Sequence, residues 1–306
     1  MNAVDQVQLN FNPATLALLN ALIGLIMFGV ALDIRVDDFK RIIRDPRGPL
    51  IGLIAQFVLL PAMTFVLVWV IDPLPSIGLG MMMVAACPGG NFSNFLAHYA
   101  KANSALSVTM TAISTALAVV MTPANLSFWG GLNPQTAEIL RQVELDPLAL
   151  FKTIAIILGI PLLAGMWVAA KKPSIASSLR KPMKLFSLGA FGLFVAGALI
   201  GNWQHFLNNV GYVAFAVALH NALGLVLGYG SGRALGCQPY DARAISIEVG
   251  IQNSALALVL IFGFFDGLGG MAIIAAWWGV WHLISGLTIA TYWSRHPAPA
   301  PAPAAS

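Results

Sequence analysis

Of the twelve acidic side chains in the chain, only Glu248 falls deep inside an apolar run. The stretch around it, "SIEVGIQNSALAL" at 246–258, adds Gln252, Asn253 and two serines to a segment otherwise built like a bilayer interior. A charged carboxylate at that depth costs at least ~2.5–3.5 kcal/mol, so it calls for a polar cavity, a cation or a proton. A second polar cluster, "CPGGNFSNF", occupies 87–95. Pro88 removes a backbone donor there, and Gly89 and Gly90 tolerate unwound angles, which predicts a broken helix. The oxygens within reach of such a break are Ser93, Asn94, Ser107 and Thr111, with Gln56, Glu248 and Gln252 on other segments. Hard cations take oxygen ligands, and an unwound helix adds backbone carbonyls, so this set suits a sodium site. Ser107 and Thr111 are four residues apart and share a helix face. Neutral oxygens around one carboxylate lean toward a metal cation, with a proton as the alternative.

Other chemistries find less support. His98, His205, His220, His282 and His296 have no mutual spacing of a zinc site, and Cys87 and Cys237 form neither a disulfide framework nor a metal motif. No GxxxxGK pattern occurs, which argues against an ATP-driven pump, and nothing implies covalent catalysis, so an enzyme is not expected. The bland alternative is that Pro, Gly, Ser and Asn serve here only to pack and glue membrane helices.

The elements that must position these residues are membrane spans. The 306 residues are 58% hydrophobic and 9% charged, against about a quarter charged in a soluble domain; the mean hydropathy is +0.80. Several runs reach the roughly 20 apolar residues a spanning helix needs, and the short alternating segments of a barrel are lacking. The expected fold is an all-α polytopic membrane protein with about nine spans, at 14–32, 49–71, 76–100, 103–126, 147–170, 184–202, 209–232, 241–265 and 268–293. With nine spans, all of the 16 Lys and Arg except Arg141 and Lys152 fall on one side. That bias makes this side cytoplasmic, with the N-terminus external and the C-terminus cytoplasmic. It also accounts for the basic pI of 9.2 without nucleic acid, since no aromatics interleave with a basic patch. Residues 1–13 carry no basic start and cleavage site, so no removable signal peptide is expected.

The two polar clusters sit in the penultimate spans of the two halves, which run in opposite directions. Interrupted helices at matching places in antiparallel halves point to an inverted-repeat secondary transporter. The expected division is an external segment 1–13, a first repeat 14–126 of four helices lacking its opening helix, an external connector 127–146, a second repeat 147–293 of five helices, and a Pro/Ala-rich cytoplasmic tail 294–306.

The stretches 87–114 and 241–257, with "IMFGVALDI" (26–34), "IAQFVLLPA" (54–62), "LHNALGLVLGY" (219–229) and "VWHLISG" (280–286), resemble the bile acid:sodium symporter family. The likeness covers nearly the whole membrane region and is greatest to bacterial homologues of the animal bile acid transporters. It implies a panel domain, about 14–32 plus 147–202, rocking against a core domain, about 49–126 plus 209–293. It implies one sodium held by Ser93, Asn94, Ser107, Thr111 and Glu248, and a second by Gln56, Glu248, Gln252 and the carbonyls of Val249 and Ile251. Asn91, Asn253 and His282 would meet the solute, while Leu283 stands where the family often has asparagine. Members of known architecture have ten spans, so the four-plus-five count lacks a panel helix. The function implied is sodium-coupled symport of an organic anion, a bile-acid-like steroid or smaller carboxylate, with two sodium ions and no organic cofactor. The alternatives are a proton-coupled transporter and a membrane ligand sensor. The expected setting is the bacterial inner membrane, as a multi-pass monomer or weak homo-oligomer in the lipid bilayer.

Overall fold

The structure, a computed structural model, describes residues 13–33, 45–90, 92–142, 152, 156, 159–201 and 203–298. Its helices are α1 (Pro13–Ala31), α2 (Arg47–Ile71), α3 (Pro75–Ala86), α4 (Phe92–Tyr99), α5 (Ser104–Leu132), α6 (Pro134–Gln142), α7 (Ile160–Lys171), α8 (Pro173–Gly201), α9 (Trp203–Ala234), α10 (Pro239–Gly250), α11 (Ser254–Phe264) and α12 (Gly269–Arg295). Among the described residues no sheet forms; one isolated antiparallel bridge joins Gly89 to Gln252.

The protein is an all-α polytopic membrane protein. Among the described residues, four helical stretches are long and apolar enough to cross a bilayer: α2, α5, the Val213–Ala234 part of α9, and α12. Large apolar side chains such as Trp69, Val70, Leu193, Ile200 and Val226 lie on the outside, where hydrocarbon would meet them. The shorter apolar helices α3 and α11 are buried along nearly their whole length and pack against α12. Their shortness follows from the breaks: α3 ends at Ala86 before α4 begins at Phe92, and α10 gives way to α11 across 251–253. The spans expected at 76–100 and 241–265 are thus each two half-helices.

Helix α10, which carries Glu248, owes its place to α9. Gly224, Gly228 and Gly232 recur every fourth residue on α9, and α10 lies directly against them. A Cβ on Gly228 would stand 2.7 Å from Ile245 O and from Ser246 Cα, so only hydrogen fits. Small-residue faces of this kind let membrane helices approach at backbone contact.

Some boundaries differ from the sequence reading. The connector expected at 127–146 is helical where described except for Asn133: α5 continues to Leu132, and α6 follows from Pro134. The Asn133 carboxamide accepts the N–H of Gln135 and of Thr136, and Thr136 Oγ1 donates to Gly130 O at 2.6 Å, which folds α6 back on α5. The basic stretch 171–184, read as a loop, is helical except for Lys172; α8 begins at Pro173, whose fixed φ suits the first helical position. Much of the span expected at 147–170 lies outside the described residues.

Candidate functional site

Each break leaves carbonyls without the N–H four residues on, and in an apolar interior each needs another donor. The two breaks supply donors to each other. Gly90 N donates to Ile251 O at 2.7 Å and Asn253 N to Pro88 O at 2.9 Å, so the unwound strands pair as a short antiparallel bridge. Gly89 is packed so tightly on Glu248 that a Cβ there would overlap the carboxylate. At this crossing α3 and α10 present their C-termini and α4 and α11 their N-termini. The first pair offers partial negative charge to a cation and the second partial positive charge to an anion.

Glu248 is fully buried, and its carboxylate gathers three hydroxyls. Ser93 Oγ donates to Oε2 at 2.5 Å, Ser107 Oγ to Oε2 at 3.1 Å and Thr111 Oγ1 to Oε1 at 2.6 Å. Asn94 Oδ1 joins them, 2.9 Å from Ser107 Oγ and 3.1 Å from Thr111 Oγ1. Ser93, Asn94, Ser107, Thr111 and Glu248 therefore come together as one oxygen cluster. A hydroxyl has one proton to give. Ser107 Oγ nevertheless faces two acceptors, and Thr111 Oγ1 faces three once Ser107 O at 3.1 Å is included. Acceptors outnumber protons, so the cluster has oxygen lone pairs that a cation could take.

Gln56 and Gln252 lie on the other side of the crossing. Gln56 Nε2 donates to Cys87 O at 2.8 Å and to Gln252 Oε1 at 2.9 Å. Gln252 Nε2 in turn donates to Val249 O at 2.5 Å. Gln56 belongs to a π turn, Ala55–Leu59, that interrupts the α-helical bonding of α2. Such one-residue bulges often mark functional positions. The Glu248 carboxylate bonds toward the hydroxyls rather than toward this amide pair, and Ile251 O is taken by Gly90 N. The residues expected around a second cation thus share a neighbourhood, with Val249 O already accepting an amide proton.

Of the expected solute contacts, Asn91 lies outside the described residues. Asn253 caps α11, its Oδ1 accepting Leu256 N at 3.0 Å. His282 is buried on α12, and its Nδ1 has no hydrogen-bond partner among the described residues. One turn further along α12, Gly286 packs on Leu96 and Ile251, which brings this part of the helix against the crossing. Among the described residues no cluster of three or more His, Cys, Asp and Glu is placed to hold a metal ion.

Three side chains of the site went unnoticed in the sequence. Thr64 Oγ1 lies 2.7 Å from His220 Nε2, joining α2 to α9. Thr122 Oγ1 donates to Ala86 O and Asn221 Nδ2 to Gly250 O, both at 2.8 Å. The adjacent buried pair His220 and Asn221 was the one available signal, being polar in an apolar helix.

Comparison with known proteins places the chain in a family. Residues 20–209 match the Sodium Bile acid symporter family. The chain is 34% identical to YocS of Bacillus subtilis, described as an uncharacterized sodium-dependent transporter, over 89% of this chain and 82% of that protein. It is 30% identical to the probable sodium/metabolite cotransporter BASS1, chloroplastic, of Arabidopsis thaliana, over 88% of this chain and 65% of that one. It is 28% identical to the human ileal sodium/bile acid cotransporter, over 79% and 68% respectively. With more than half of its length matched and two broken helices crossing at Glu248, the chain belongs to the Sodium Bile acid symporter family.

Proposed function

We propose that the chain is a sodium-coupled symporter that carries an organic anion across the bacterial inner membrane by alternating access, with two sodium ions per cycle. The observation that carries this reading is the excess of acceptors over protons around Glu248. A sodium ion there meets a carboxylate, hydroxyl oxygens and the Asn94 carboxamide, all hard ligands. The relatives named as sodium-dependent transporters or sodium cotransporters support the same coupling ion.

The second ion would use Gln56, Glu248, Gln252 and the carbonyls of Val249 and Ile251. Because Gln252 Nε2 donates to Val249 O, this ion and the amide proton compete for one carbonyl. Binding would turn the glutamine oxygens inward and release Val249 O. One carboxylate offsets one of two positive charges, so an anionic solute brings the loaded crossing closer to neutral. The N-termini of α4 and α11 would face such an anion, with Asn91, Asn253 and His282 as the proposed solute contacts. The inverted-repeat and panel-on-core description of nine spans supplies the motion that exposes this crossing to each side in turn.

Purified protein in vesicles, tested with an inward sodium gradient and a panel of carboxylates and bile-acid-like steroids, checks the reading. Uptake is expected with sodium and is expected to vanish when choline replaces it. Equal uptake in choline would sink sodium coupling.

A further inference from the structure

Most of the donors that satisfy the two breaks belong either to the crossing strands themselves or to the glutamines proposed as sodium ligands. Two do not. Thr122, on α5, donates to the carbonyl of Ala86, the last residue of α3. Asn221, on α9, donates to the carbonyl of Gly250, the last residue of α10. Both side chains are buried, with exposures of 0% and 1%. In each half, an unbroken helix thus reaches across and holds the terminal carbonyl of the broken one.

The reach is unusual for these residue types. A helical threonine ordinarily bonds back within its own helix, as Thr111 does to Ser107 O, whereas Thr122 bonds 36 residues away. Asn221 is held at its partner by close packing, because Gly224, one turn along α9, lies against Val249 O and Gly250 Cα. Since Gly250 O can only accept, the Asn221 group facing it is the NH2.

We propose that Thr122 and Asn221 are positioning residues for ion binding, fasteners that hold the ends of α3 and α10 whether or not sodium is present. This rests on the symport reading above. Sodium competes with the Gln252 amide for Val249 O, and Gln56 donates to Gln252, so the Gln56 and Gln252 bonds exchange during the cycle. Thr122 and Asn221 offer no oxygen to the proposed ions, and their bonds persist. Gly250 lies between Val249 and Ile251, so fixing its carbonyl fixes the directions of the two carbonyls on either side. Ala86 precedes Cys87, whose carbonyl Gln56 holds, and so governs the other strand in the same way.

The test is a sodium titration of the purified full-length protein by thermal unfolding, with choline holding the ionic strength constant. Thr122→Val keeps the shape and loses the donor; Thr122→Ser keeps the donor; Asn221→Leu removes the amide at similar volume. The sodium midpoint is expected to rise roughly tenfold or more in T122V and N221L, the size usual for partners standing behind a metal's ligands, and to stay within about twofold of wild type in T122S. A bond that merely stabilised the fold would lower the melting temperature in choline and leave the midpoint unchanged, and that result would overturn the inference. Should N221L not fold, the Thr122 pair decides alone. Absence of any sodium response in the wild type would sink the symport reading and this inference together; a wild-type response with unaltered midpoints in T122V and N221L sinks this inference only.

Discussion

Glu248 is at once the most conspicuous residue in the sequence and the centre of the site. A carboxylate in an apolar run is costly enough to stand out, so its importance was legible before any geometry. Its neighbours were legible by type alone: Ser93, Ser107 and Thr111 are ordinary in membrane helices, and only their convergence within 3.1 Å of one carboxylate makes them a set. Thr122 was not legible, and Asn221 only as a polar residue in an apolar helix, because their partners are backbone carbonyls and every residue has one. Glu248→Gln (E248Q) tests the centre directly. It keeps the volume but replaces an acceptor with an N–H donor where protons are already contested. At sodium a hundredfold above its dissociation constant, a bound ion stabilises the fold by about 2.7 kcal/mol. That increment is expected in wild type and absent in E248Q, read as the sodium-dependent rise in melting temperature; a full rise in the variant would remove Glu248 from the site.

The two breaks were readable as elements because proline and paired glycines interrupt helices for local reasons, and because polar residues crowd at Glu248 to Asn253. The ends of α5 and α8 were not readable. They are set by tertiary contacts, such as Thr136 to Gly130 O, and by a proline that starts a helix as readily as it ends one. The π turn at Gln56 also escaped notice, since "AQFVL" has nothing to distinguish it from helix. The contact between α9 and α10 gives an element-scale prediction. Gly228→Ala places a methyl against Ile245 O and Ser246 Cα, which are backbone atoms and cannot swing aside. Helix α10 must shift and carry Glu248 with it, at a cost of ~1–3 kcal/mol. Gly230→Ala meets nothing within 4 Å and gains helix propensity. Thermal unfolding is expected to show a lower melting temperature and weakened sodium response in G228A, with G230A at or above wild type. Equal behaviour of the two would mean that α10 is not held by this contact.

At the scale of the whole molecule, the proposed symport would make ion and solute interdependent through the crossing. The strands that would carry sodium ligands, 248–252, continue directly into Asn253 and the N-terminus of α11, where an anion would sit. Ordering one side of the bridge therefore orders the other through the Gly90–Ile251 and Pro88–Asn253 bonds. Coupling of this kind is a property of binding free energies and must be reciprocal. If a saturating anion lowers the sodium midpoint by some factor, saturating sodium must lower the anion midpoint by the same factor, typically about 5- to 150-fold. Both factors can be read on the same purified protein, one from sodium titrations with and without a transported anion, the other from anion titrations in sodium and in choline. Equal factors well above one are expected. A factor of one in both would mean that the solute binds without sensing sodium, and the crossing would then be a joint in the fold rather than the coupling device.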